Sequence, residues 1–133
     1  GEEYLHPEGF HCSPAGQRVC SMMSPSLLMS EDDVRLVVGS GGSKRIRTAI
    51  TEVLRQVIDF DKGLEEAVLA PRFYWDGQCL QVEPGFDENI ITSLGIDTNI
   101  WQAMDVYFGG VHAVVPGKEG AGDPRRGGKV VEV

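Results

Sequence analysis

Residues 37–50, VVGSGGSKRIRTAI, decide how this chain is read. An apolar run stops at Gly39, Gly41 and Gly42 follow, and a periodic pattern begins at once. That order describes a strand ending, a tight turn, and a helix opening with backbone N–H groups ready to donate. Such an elbow suits an anion, or a group becoming anionic; a glycine turn that only caps a helix has the same spacing. Nucleotide readings fail. A phosphate loop begun at Gly39 should continue as Gly-Lys-Ser/Thr, but Lys44 and Arg45 stand there, and a dinucleotide fingerprint needs a glycine where Lys44 sits.

Beyond the elbow, Ile46, Ala49, Ile50, Val53, Leu54, Val57 and Ile58 recur at three and four, which predicts an amphipathic helix from residue 42 to about 60. Lys44, Arg47, Thr51, Arg55 and Asp59 form its polar face. Ahead of the elbow, SMMSPSLLM and VRLVVG flank the turn-like SEDD, the pattern of an antiparallel strand pair. A second helix over 63–69 ends at APRF, where proline stops it. FYWDGQCLQVE predicts a hairpin turning at Asp76-Gly77, followed by a short helix over 87–94. WQAMDVYFGGVHAVVPG reads as two strands around Gly109-Gly110, and GKVVEV as a last strand. Residues 1–20, broken by Pro7, Gly9, Pro14 and Gly16, read as a loop leading into one domain over 21–133. Strands, then a helix pair, then strands predict an α/β (α+β) sandwich with antiparallel sheet and flanking helices.

Composition narrows the function. The 133 residues suffice for one hydrophobic core, and 41% hydrophobic with 24% charged residues is ordinary for a globular chain. A net charge of -8 argues against nucleic acid or an anionic membrane as partner. No apolar run approaches bilayer-spanning length. Three cysteines are an odd number, which argues against a disulfide framework and leaves at most a single Cys12–Cys20 bridge beside the reading as free thiols. His6, His11 and Cys12 lie close in sequence but without a second ligand cluster, so no metal is expected. His112 reads as a core or rim residue of a strand, and Asp123, Arg125 and Arg126 as salt bridges that tie the last loop.

SMMSP, LVVGSGGSKRIRTAI, DFDKGLEEAVLAPRF and GAGDPRRGG together resemble, in order and nearly in spacing, the small subunit of gamma-glutamyltransferases (gamma-glutamyltranspeptidases) from about Arg18 to the end. The resemblance implies part of an N-terminal-nucleophile hydrolase sandwich, cut from a precursor that cleaves itself into large and small subunits. Its nucleophile is a new N-terminal threonine whose free amine serves as base, with no cofactor. The implied partners are the large subunit, the remaining small-subunit strands and a small gamma-glutamyl substrate such as glutathione.

Residue by residue, the resemblance makes the backbone amides of Gly42 and Ser43 the oxyanion donors, or those of Gly41 and Gly42 if the alignment shifts by one. The serine pair that holds the substrate's alpha-carboxylate reads here as Ser21-Met22, so half of that clamp is missing, with Arg18 a nearby cation. Glu2 falls where the alpha-amine is received. The catalytic threonine lies before this segment in the family, and Gly1 has neither hydroxyl nor thiol, so the chain alone is expected to be inactive and to self-associate. Two alternatives stand beside this reading: an amide hydrolase of cephalosporin acylase type, which Met22 favours by making the pocket more apolar, and a noncatalytic module on the same scaffold.

Overall fold

The structure, a computed structural model, describes residues 8, 9, 12, 14–18 and 21–131. Its elements in chain order are β1 (Ser26–Ser30), β2 (Asp33–Gly41), α1 (Ile46–Ile58), α2 (Leu64–Leu69), β3 (Phe73–Trp75), β4 (Leu80–Val82), α3 (Glu88–Ser93), β5 (Thr98–Ile100), β6 (Gly110–Val115) and β7 (Glu119–Ala121). Strands β1, β2, β6 and β7 form one antiparallel sheet in the order β1-β2-β6-β7. A second, three-stranded sheet pairs β3 with β4 antiparallel and β4 with β5 parallel.

The period-2 geometry of strands sorts the first sheet's side chains onto two faces. Leu36 and Val38 of β2, Val111 and Ala113 of β6 and Ala121 of β7 point to one face and are buried. The apolar stripe of α1, with Ile46, Ala49, Ile50 and Val53, and Leu64, Ala67 and Val68 of α2 cover them. On the opposite face Leu27, Val37 and Val114 stand side by side in register across β1, β2 and β6, and all three are exposed. A smaller core of Leu80, Val82 and Ile91, joined by Phe86, holds the second sheet to α3.

The mixed α/β architecture with antiparallel sheet matches the sequence expectation, and α1 falls where its period put it, although Ile58 at its end is exposed. Three strand expectations need correction. Residues 101–109 are not a strand: the Asp105 carboxylate accepts from Tyr107 N at 2.7 Å and winds Val106–Phe108 into a 3-10 turn. Residues 128–131 carry no strand pairing, and 132–133 lie outside the described residues. The short strands β5 and β7 were not anticipated.

One link between α1 and β3 is pH-sensitive. Glu52 of α1 accepts from Phe73 N at 3.0 Å, and burial lifts its pKa from 4.5 to about 7, against the opposing pull of that amide and of Arg72. A raised carboxyl pKa means that the folded state holds its proton more tightly than the unfolded one. The associated stability is therefore full below pH 4.5 and is lost as pH rises toward 7. Glu52→Gln keeps an acceptor for Phe73 N without the charge. It should flatten the stability profile over that window and raise stability at pH 8 by about 2 kcal/mol, allowing for partial solvent access. Thermal melts at pH 5 and pH 8 check this, and equal pH dependence in both proteins would contradict it.

Candidate functional site

The elbow is built where β2 and β6 begin to part. Gly41 and Gly110 are the last pair of the β2–β6 ladder, and Ser40 Oγ sits between them, donating to Gly41 O at 2.9 Å and accepting from Gly110 N at 3.3 Å. The chain then turns through Gly42, at φ 132, and Ser43, at φ 55, into the 3-10 turn Ser43–Arg45 that opens α1. Glycine is required at position 42 for two reasons: its φ lies in the left-handed region, and a Cβ there would stand 2.8 Å from Gly109 Cα. Ser43 holds a left-handed φ without that freedom, a strain of about 1 kcal/mol stored at the turn.

Because a helix start leaves its first amides unpaired, donors collect here. Among the described residues, neither Gly42 N–H nor Ser43 N–H reaches an acceptor. Both residues line a cavity of about 310 Å³, together with Arg45, Val106, Tyr107 and Arg126. The Arg45 guanidinium lies 4.0 Å from the Tyr107 ring centre and 5.2 Å from that of Tyr74, and Tyr107 stacks on Trp101 at 4.9 Å. A larger groove of about 1040 Å³ opens at the other end of the sheet, between the β1–β2 turn and the α1–α2 link. Its walls are Leu28, Val34, Val57 and Val115 with Asp33, Arg35, Asp61 and Lys62 around them, and the glycine elbow takes no part in it.

A buried cluster of four charges ties the 123–126 turn to β6 at Val111, next to Gly110. Asp123 is fully buried; its carboxylate accepts from Val111 N at 2.7 Å, from Arg125 N at 2.9 Å and from Arg72 Nη2 at 2.8 Å. Arg125 makes a two-pronged contact to Glu83 and donates to the carbonyls of Val68 and Ala70, capping the C-terminal end of α2. Glu83 also accepts from Arg72 N and Asp105 N. Burial works against the ionised form of Asp123, but Arg72 and the amides of Val111 and Arg125 more than offset it and hold its pKa below the ordinary value. Burial likewise opposes the charge on Arg125, and Glu83 followed by Asp123 reverses the sign, raising its pKa. Arg72 goes the other way, lowered by burial and by the nearby Arg125.

The sequence-based candidates divide as follows. Gly41, Gly42 and Ser43 form the elbow. Ser21 and Met22 lie in the extended segment leading into β1, whose first residue pairs with Val38, so they enter from the elbow end of the sheet. Ser21 Oγ accepts from Met23 N at 3.1 Å, leaving its O–H able to donate, while Met22 packs against the main core. Arg18 is exposed. Glu2 lies outside the described residues, as do His6, His11 and Cys20. His112 is a rim residue, exposed on the outer face with Nδ1 accepting from Asp123 N at 3.3 Å. Among the described residues no group of His, Cys, Asp or Glu is arranged to hold a metal ion.

Asp123 and Arg125 tie the last loop through salt bridges, as their motif suggests, but Arg126 does not join them. It lies across the elbow instead, so that a methyl group on Gly110 would come within 2.6 Å of its Cγ and Cδ. Arg45, Arg72, Glu83 and Tyr107 carried no sequence signal as site residues. Each is a lone polar or aromatic residue whose role follows from contacts far along the chain.

Comparison with known proteins gives concordant matches. The family model described as gamma-glutamyltranspeptidase matches residues 2–133. The glutathione hydrolase proenzyme of Escherichia coli is 32% identical over 118 residues, 82% of this chain and 20% of that protein. Acylase ACY 1 proenzyme from a Pseudomonas species is 29% identical over 89 residues, 67% of this chain and 16% of that protein. The structure of gamma-glutamyltranspeptidase from Pseudomonas nitroreducens complexed with L-DON superposes with a TM-score of 0.72 at 30% identity, covering 91% of this chain and 66% of that one. The chain thus spans about a fifth or less of the length of these two curated relatives.

Proposed function

The chain belongs to the gamma-glutamyltranspeptidase family, and on that premise we propose that residues 21–133 are the C-terminal part of the small subunit of a self-processed enzyme that hydrolyses or transfers gamma-glutamyl groups, with glutathione-like amides as substrates. The observation that carries this reading is the elbow, where two adjacent amides without an acceptor among the described residues share a cavity. Gly42 and Ser43 donate to the oxyanion that forms when the gamma-carbonyl is attacked, fixed in place before charge develops. Gly41 and Gly42 take that role if the register is shifted by one. The attacking hydroxyl is the N-terminal threonine of the processed small subunit, contributed by a part of the precursor that precedes residue 1. Residues 1–20 lead from that part into the domain, and Glu2 receives the substrate's alpha-amine. The large subunit and the remaining small-subunit strands cover the exposed row Leu27, Val37 and Val114.

Ser21 donates to the alpha-carboxylate with Arg18 as the adjacent cation, and Met22 leaves the second position of that clamp without a donor. The likeness to an acylase proenzyme supports a second reading, an amide hydrolase for more apolar acyl groups. Met22→Ser in the full-length processed protein distinguishes the two. One hydrogen bond to a charged group contributes about 1.5–3 kcal/mol. If it forms equally in ground and transition states, the KM for glutathione should fall about tenfold or more with little change in kcat. If glutathione kinetics stay unchanged while turnover of a bulky apolar acyl amide drops, the acylase reading replaces the glutamyl one.

A further inference from the structure

Arg45 is an anomaly at the head of α1. A cation beside a helix N-terminus faces the positive end of the helix dipole, and no acidic residue of the first turn offsets it. Its side chain is half-buried all the same, with Nε buried and without a hydrogen bond. What holds the guanidinium comes from the second sheet and the turn before β6. It lies 4.0 Å from the Tyr107 ring centre and 5.2 Å from that of Tyr74, and its charge acts on the Asp76 carboxylate. Those neighbours are themselves joined. Asp76 accepts from Gln81 Nε2 at 2.9 Å, Gln81 Oε1 accepts from Trp101 Nε1 at 2.9 Å, and Trp101 stacks on Tyr107 at 4.9 Å. The contacts close a ring that runs from Arg45 through Tyr107, Trp101 and Gln81 to Asp76 and back, and its members belong to neither apolar core.

The ring meets the elbow where the backbone is strained. Ser43 holds a φ of 55, a conformation that persists in a serine only where the surroundings over-determine it. On one side Gly42 packs against Gly109, two residues beyond Tyr107. On the other the turn runs straight into Arg45, whose N–H donates to Gly42 O at 3.1 Å. Stacking Arg45 on Tyr107 therefore clasps the 42–45 turn to the 106–109 segment, and the ring anchors both to the second sheet. We propose that Arg45 is a positioning residue for the elbow amides, holding Gly42 and Ser43 in line through this ring and touching no substrate atom. The proposal rests on the reading of the elbow as an oxyanion site, whichever acyl group the enzyme takes. Because those amides matter most as charge develops on the carbonyl oxygen, the hold shows in kcat and not in KM.

Steady-state kinetics of the full-length processed protein, normalised to processed small subunit, test this with glutathione or, if it is the better substrate, a bulky apolar acyl amide. Arg45→Met keeps an unbranched stem and removes the charge. Its kcat should fall about tenfold, the scale of one cation–π contact, with KM within about twofold of the parent. Arg45→Lys, a cation that stacks less well, should retain part of the rate. Trp101→Phe is the deciding variant, because it keeps a ring against Tyr107, removes the Nε1 donor to Gln81 and does not line the elbow cavity. It should lower kcat about threefold, the scale of one neutral hydrogen bond. The double variant Arg45→Met/Trp101→Phe should be little slower than Arg45→Met alone, since both open one ring. If Arg45→Met fails to fold or to self-process, Arg45→Lys takes its place in the same comparison. An arginine variant whose kcat matches the parent overturns the proposal, as does Trp101→Phe without effect on kcat. A raised KM at constant kcat overturns it too, because it places the arginine on the substrate, and losses that multiply in the double variant do so by showing independent roles. Absence of any amide cleavage by the unmodified protein defeats the reading of the elbow, and the positioning role with it.

Discussion

Asp123→Ala should lower the folding stability of this chain by about 3–5 kcal/mol, because it leaves buried charge without its counter-charge. Arg72 would then lose its ion-pair partner and Arg125 would keep only its pair with Glu83, and Val111 N and Arg125 N would each lose an acceptor in the interior. Against a typical total of about 5–15 kcal/mol, a loss of this size removes a large part of the margin. Urea titration followed by circular dichroism measures it. A midpoint corresponding to less than about 1 kcal/mol of change would show that the cluster is not what holds the last loop down. Acid should mimic the substitution. Since the Asp123 pKa is depressed in the folded state, its contribution is present above the ordinary value of 3.8 and is lost as pH falls below it.

Gly42→Ala in the full-length processed protein should lower kcat by about 10²–10³-fold, the usual consequence of displacing an oxyanion donor. The added methyl meets Gly109 Cα at 2.8 Å, a backbone atom that no side-chain rotation can move away. The turn must therefore open, carrying the Gly42 and Ser43 amides out of line. Steady-state kinetics with glutathione check this, and a kcat within threefold of the parent would argue that another pair of donors does the work. Ser43→Gly is the companion variant. By releasing a left-handed serine it should raise stability by about 1 kcal/mol, which a thermal melt reads directly.

What could be read from the sequence follows from how local each cause is. The α1 stripe and the glycine elbow depend on neighbouring residues, so period and composition reveal them. The apolar and aromatic residues of 101–109 suit a strand, but the decision rests with Asp105, whose amide is taken by Glu83 from 22 residues away. The identical neighbours Arg125 and Arg126 show the limit most sharply. The 3-10 turn Pro124–Arg126 rotates one inward to Glu83 and the other outward over Gly110, and nothing in the letters RR distinguishes them. The glycine elbow could be read from the sequence, but the arginines beside it could not.

The four-charge cluster also sets an order of events during synthesis. Arg125 is 42 residues beyond Glu83 and 57 beyond Val68, so the α2 end and the β4 end wait for residues 123–125 before their ion pairs and hydrogen bonds are complete. A nascent polypeptide still short of Asp123 can wind α1 and pair β1 with β2, but it cannot tie the 123–126 turn to β6 next to Gly110. Until Asp123 and Arg125 have been made, the buried Arg72 and Glu83 lack their ion-pair partners and Val111 N lacks its acceptor, a state that quality-control proteases can exploit.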